Sequence, residues 1–197
     1  MNKVVLASSN QGKLREIARL LADLDFTVVP QAELGVIDAE ETGETFEANA
    51  LIKARHAAAA TGLPAIADDS GLAVDALLGQ PGVYSARYAG PHATDDENID
   101  KLLQELEQVA IANRGATFHC VACFVTPNGD TQPLIARGSW RGSIAHQRQG
   151  DGGFGYDPVF IDTELGVASS ELSAEEKNSR SHRGKALAEM VTLLRGR

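Results

Sequence analysis

The chain has 197 residues, a net charge of −9, 43% hydrophobic residues and 23% charged ones, which describes a globular protein with enough length to bury a substantial core. That acidic balance argues against a general nucleic-acid binder, which needs a basic surface to displace counterions. No run approaches the roughly 20 apolar residues that cross a bilayer. The apolar run in MNKVVLASSN is too short for a secretory h-region. The expectation is therefore a cytoplasmic protein with no membrane or nucleic-acid partner. An anionic small molecule stays compatible, because it needs only a few local cations.

KVVLASS reads as a short buried strand that ends in small polar residues, and NQGKLREIARLLADL follows with Leu14, Ile17, Ala18 and Leu21 at helical spacing. FTVVP is a second strand and AEETGE an acidic loop. Phe46 to Thr61 forms a helix with Phe46, Ala50, Ala54 and Ala57 on one stripe, ended by Gly62 and Pro64. PAIA is a third strand, and Asp68 and Asp69 sit where it is expected to end, with Ser70 and Gly71 permitting a tight turn. This alternation is that of an α/β fold with parallel pairing. Thr94 and Glu97 form a capping box for a helix running to about Leu106. ATFHCVACFVTP and TQPLIARG then make a β-hairpin about an Asn128-Gly129 turn, so the sheet is mixed. Ser173 and Glu176 form a second capping box, and Lys185 to Leu194 carries a last helical pattern. Cys120 and Cys123 stand three apart on a strand, facing opposite sides, with no second pair to complete a zinc site. They read as core cysteines.

Five segments carry chemistry. Ser8 to Lys13, SSNQGK, opens a helix after a strand, where backbone N–H groups and the helix dipole favour an anion. Asn10 also suits an ordinary N-cap, and the segment lacks the leading glycine of a Walker A loop. The acids Glu40, Glu41, Asp68 and Asp69 suit magnesium, which takes a few carboxylates with water and phosphate oxygens, or a general base. Asn49, Lys53 and His56 share one helix face; that is usually a solvated face, but Lys53 becomes a phosphate contact if the helix borders the acid pair. Glycines in GGFGYDP let a backbone approach a ligand, and Phe154 and Tyr156 offer flat faces to a nucleobase. EKNSRSHRG gathers Lys177, Arg180, His182 and Arg183, cations a phosphorylated ligand requires.

In this order, Ser8-x-Asn10-x-x-Lys13, Glu40-Glu41-Thr42-Gly43, ADDSGL at 67–72, PGVYSARY at 81–88, GGFGYDP at 152–158 and SHRG at 181–184 resemble the inosine/xanthosine triphosphate pyrophosphatase family over nearly the whole chain. Ser8 stands where many relatives have threonine, keeping the hydroxyl. The resemblance implies one domain over residues 1–197. Its fold would be an elongated mixed sheet flanked by helices, with two lobes and an active-site cleft between them. It implies magnesium-dependent hydrolysis of non-standard purine nucleoside triphosphates (ITP, dITP, XTP) to the monophosphate and pyrophosphate, by a homodimer. Ser8, Ser9, Asn10, Gln11, Gly12, Lys13 and Lys53 would hold the triphosphate, and Lys177 would help near the phosphates or sugar. Asp69 would be the catalytic base and a magnesium ligand, with Glu40 or its neighbour Glu41 as the second metal-site acid. Ser70 would touch substrate. Phe154, Gly155, Tyr156 and Asp157 would line the base pocket with His182 and Arg183. Two rivals share parts of this pattern: a pyrophosphatase for other modified nucleotides, and a nucleotide sensor without turnover. A sensor has no need of a general base.

Overall fold

A computed structural model describes residues 2–22, 26–127 and 132–196. Six strands form one sheet in the order β2-β1-β3-β4-β5-β6: β1 (Asn2–Leu6), β2 (Phe26–Pro30), β3 (Ala65–Val74), β4 (Gly115–Val125), β5 (Leu134–Ile144) and β6 (Phe160–Asp162). β1 pairs in parallel with β2 and β3, whereas β6 runs antiparallel to β5. The sheet is therefore mixed, as expected. The Asn128-Gly129 turn expected between β4 and β5 lies outside the described residues.

The helices are α1 (Gln11–Leu20), α2 (Phe46–Thr61), α3 (Asp95–Glu105), α4 (Ala174–Arg180) and α5 (His182–Arg195). Their starts follow local chemistry. Asn10 accepts from the Lys13 N–H, Thr45 accepts from the Ala48 N–H, and both capping boxes form at Thr94/Glu97 and Ser173/Glu176. Gly62 ends α2 at φ 67°, a left-handed cap that costs glycine little.

The chain divides into two compact units. The first comprises Met1–Asp69, Cys120–Gly138 and His182–Arg197. Its part of the sheet buries both faces. Val4, Leu6, Ile66, Cys120 and Ala122 pack with Leu14 and Ile17 of α1 and Leu187 and Met190 of α5. The alternate residues Val5, Ala7, Ala65, Ala67, Val121 and Cys123 pack with Ala50, Ala54, Ala57 and Ala58 of α2. Cys120 and Cys123 thus lie on opposite faces as buried, free thiols, and burial pushes Cys123 up to about 12. The core reading of the cysteines holds.

The second unit comprises Ser70–His119 and Ser139–Ser181. It is built on Leu72, Val74, Ile99, Leu102, Leu106, Phe118, Trp140, Ile144, Tyr156 and Phe160. One expectation is corrected. β3 does not end at the acid pair; it continues through Asp68, Asp69, Ser70 and Gly71 to Val74. Charged groups survive inside a buried strand only when paired, and the pairing is found on both faces.

Candidate active site

The period of two along β3 decides where each acid points. Asp68 shares the face of Ile66, towards α1 and α5, and Asp69 shares that of Ala65 and Ala67, towards α2. Two adjacent carboxylates are thereby held on opposite sides of one strand, each with its own cations.

On the first side, Asp68 Oδ2 is 3.3 Å from Lys13 Nζ of α1 and 3.2 Å from Arg183 Nε of α5. Arg183 also pairs with Glu16 one turn along α1 from Lys13. Asp68 and Arg183 are almost fully buried. Burial alone would raise Asp68, but Lys13 and Arg183 beside it hold its carboxyl well below the usual range. Burial works against the charge on Arg183, and Asp68, Cys120 and Glu16 together more than offset it. Asp68 Oδ1 is buried and has no hydrogen-bond partner among the described residues.

On the other side, Lys53 Nζ of α2 lies 3.0 Å from Asp69 Oδ1 and donates at 2.7 Å to Glu41 Oε1 of the acidic loop. Asn49, one turn earlier, donates from Nδ2 to Asp69 Oδ2 at 3.4 Å and accepts the Gly43 N–H at 2.8 Å on Oδ1. Gly43 has to be small: a Cβ there would stand 2.6 Å from Asn49 Oδ1 and 2.7 Å from Ala48 Cβ. Burial raises Asp69, Lys53 and Lys13 pull it down, Glu41 pushes it up, and the net shift is upward. Lys53 is disfavoured by burial, yet Asp69, Asp68 and Glu41 together hold it above its usual value. The two acids are therefore pushed apart: one is held ionised, the other is poised to take a proton. Such a split marks acid–base sites.

Asp69 and Glu41 converge on one ammonium, so their oxygens suit a hard divalent cation, which needs one or two carboxylates with water and phosphate oxygens. Among the described residues no group of three or more His, Cys, Asp or Glu gathers as a protein-only cage. Glu40 has an exposed side chain, and Glu41 is the member of the pair joined to Lys53.

The remaining candidates of the first unit fall as follows. Ser8 to Lys13 form the β1–α1 connection and the first turn of α1, with Ser8 Oγ accepting the Asn10 N–H. Ser9, Asn10 and Gln11 are exposed. His182 and Arg183 open α5 and are buried. His56, on the face of Asn49 and Lys53, sets Nε2 3.0 Å from the Ile37 carbonyl oxygen.

The second unit holds a separate cluster, and Ser70, half-buried, begins its part of β3. Asp157 Oδ2 accepts the Phe154 N–H at 2.8 Å and Lys177 Nζ at 2.6 Å, and its Oδ1 accepts from Ser169 Oγ at 2.9 Å. Lys177 Nζ stands 4.8 Å from the Phe154 ring centroid, within cation–π range. Gly155 donates its N–H to Asp95 at 2.6 Å. Of the two aromatic rings, Phe154 is half-buried. The Tyr156 ring belongs to the core, its hydroxyl donating to the Ser85 carbonyl at 2.9 Å.

Sequence reading missed Glu16 and the double role of Asn49. The i, i+4 spacing put Asn49 beside Lys53, but only the contact with β3 turns a polar helix face into a support for Asp69. Glu16 lies 167 residues from its partner Arg183, and no local signal announces that pair.

The chain is similar to known proteins along nearly its whole length. The chain is 57% identical to the dITP/XTP pyrophosphatase of Pectobacterium atrosepticum over 99% of each chain. It is 58% identical to that of Methylococcus capsulatus, over 98% of this chain and 96% of that one. The structure of a HAM1 protein from Coxiella burnetii superposes with a TM-score of 0.92 at 50% identity over 100% of both chains. The Staphylococcus aureus Ham1 protein does so at 0.87 and 41% over 99% of both. With the Ham1 family model matching residues 4–193 as well, the chain belongs to the Ham1 family.

Proposed function

We propose that this protein hydrolyses non-standard purine nucleoside triphosphates (dITP, ITP and XTP) to the nucleoside monophosphate and pyrophosphate, removing them from the nucleotide pool. The similarity to dITP/XTP pyrophosphatases at 57–58% identity over nearly the full chain supports the reading. The observation that carries the chemistry is the split acid pair: Asp69 raised and in contact with Lys53, beside an Asp68 held ionised by Lys13 and Arg183. The family match from residue 4 to 193 supports reading residues 1–197 as one functional domain.

Asp69 is the general base. Its carboxylate takes a proton from water, which attacks the α-phosphorus in line, and pyrophosphate leaves. Asn49 and Lys53 hold that carboxylate in place. Lys13 and Lys53, with the SSNQGK backbone from Ser8 to Gly12, neutralise and orient the phosphates. Asp69 with Glu40 or Glu41 is the place for Mg²⁺, which when bound supplies charge neutralisation at the phosphates; the Glu41–Lys53–Asp69 contacts favour Glu41. Ser70 and Lys177 touch substrate. Phe154, Gly155 and Asp157 recognise the base, and the core-packed Tyr156 supports them from behind. His182 and Arg183 supply further donors to the base. Arg183 presents donors only. A 6-keto oxygen accepts from them, whereas a 6-amino group faces donor with donor, and buried mismatches of this kind discriminate strongly. The protein works in the cytoplasm as a homodimer.

Pyrophosphate release from dITP and dATP, each with and without Mg²⁺, tests the reading. Metal-dependent release from dITP alone supports it. Equal release from both nucleotides overturns the base-recognition account, and binding without release favours a sensor. Asp69→Asn, nearly isosteric, is expected to lower dITP turnover about 10²- to 10⁴-fold with the fold intact; a rate near wild type removes Asp69 from its role.

A further inference from the structure

Helix α4 has seven residues, Ala174–Arg180, too few to be stable alone. Its position is therefore set by what holds it. The Ser173/Glu176 box satisfies its first turn. Lys177 reaches Asp157, and Arg180, three residues on and on the same side, reaches Asp162 at the end of β6.

Asp162 is almost completely buried, yet five donors converge on it. Its Oδ2 accepts from Arg180 Nε at 2.7 Å and Trp140 Nε1 at 3.0 Å. Its Oδ1 accepts the N–H groups of Glu164 at 2.8 Å and Leu165 at 3.1 Å, and Arg180 Nη2 at 3.3 Å. One carboxylate thus ties β5, the turn after β6 and the last turn of α4 together. Arg180 further pairs with Glu164.

We propose that Asp162 is a positioning residue for nucleotide binding, acting through Arg180 to hold α4 so that Lys177 stands over Phe154 and Asp157. This rests on the reading of Lys177 as a substrate contact. When the Lys177 ammonium turns from Asp157 to a nucleotide, α4 loses the Lys177–Asp157 anchor. The Arg180–Asp162 fork remains, and it keeps Lys177 within reach. A charged, planar, two-point contact fixes orientation as well as distance.

The test compares KM and kcat for dITP, with melting temperatures, in wild type, Asp162→Asn, Arg180→Gln, their double variant, Trp140→Phe and Lys177→Ala. Asp162→Asn and Arg180→Gln are each expected to raise KM about tenfold with kcat within about twofold, the double variant being no worse than Asp162→Asn. Trp140→Phe removes another donor to Asp162 and loosens the packing with Phe118 and Phe160 without touching α4. It is expected to lower the melting temperature and leave KM unchanged. Arg180→Lys, which keeps the charge and loses the fork, should recover part of the KM. Should Asp162→Asn fail to fold, Arg180→Gln carries the test, since Arg180 is partly exposed. Wild-type KM in Arg180→Gln, or a KM that follows melting temperature in every variant including Trp140→Phe, overturns the proposal. If Lys177→Ala raises KM and the Asp162 and Arg180 variants do not, positioning falls and the Lys177 reading stands. If Lys177→Ala leaves KM unchanged, both fall.

Discussion

Replacing Asp68 by asparagine keeps the shape of the side chain and removes a charge that two cations share. The Asp68 side chain has no exposure; Arg183 is 3% exposed and Lys13 16%. Removing one partner of a buried ion pair costs about 3–5 kcal/mol, because the other charge is left uncompensated. Here Glu16 still pairs with Arg183, and Lys13 can turn to water. The lower end applies, about 3 kcal/mol. At about 2.1 cal/mol/K of unfolding entropy per residue, a chain of 197 residues should lose about 7 °C of melting temperature at pH 7. The pH dependence gives a second handle. The folded-state pKa of Asp68 is depressed, so its stabilisation is fully present above the ordinary value of 3.8 and is lost as pH falls through the folded value. The stability gap between wild type and Asp68→Asn, measured by urea unfolding, should shrink by about 1.4 kcal/mol per pH unit from 3.8 down to the depressed folded value. A melting temperature within about 1 °C of wild type at pH 7, or a gap unchanged between pH 7 and pH 3, would refute the paired-charge account.

Two further outcomes follow from the same geometry. Lys53→Met removes the cation that pulls Asp69 down, so burial and Glu41 act unopposed by it. The acid limb of the kcat/KM profile for dITP should move up by about one to two pH units, and an unmoved limb would break the link between Lys53 and the base. Arg183→Ala should narrow the preference for dITP over dATP in kcat/KM, a ratio independent of how much enzyme is folded. An unchanged ratio would count against Arg183 as the donor to the keto group.

What the sequence determined by itself was local or periodic. The N-cap at Asn10, the two capping boxes and the Gly62 stop are chemistries of neighbouring residues, and α2 runs from Phe46 to Thr61 as its alanine stripe and glycine stop require. The parallel start of the sheet and the opposite facing of Cys120 and Cys123 followed from alternation alone. The order of six motifs carried the family. Tertiary structure decided what depended on distant partners. β3 runs through Asp68 and Asp69 because Lys13, Lys53 and Arg183 are brought to its two faces, and Arg183 lies 115 residues from Asp68. Which loop acid meets Lys53, and that the Tyr156 ring is core while Phe154 lies under Lys177, likewise turn on packing. Local sequence sets the backbone's preferences within a turn or two. The energy of a buried charge is set by whatever the fold places within a few ångströms of it, wherever that lies along the chain.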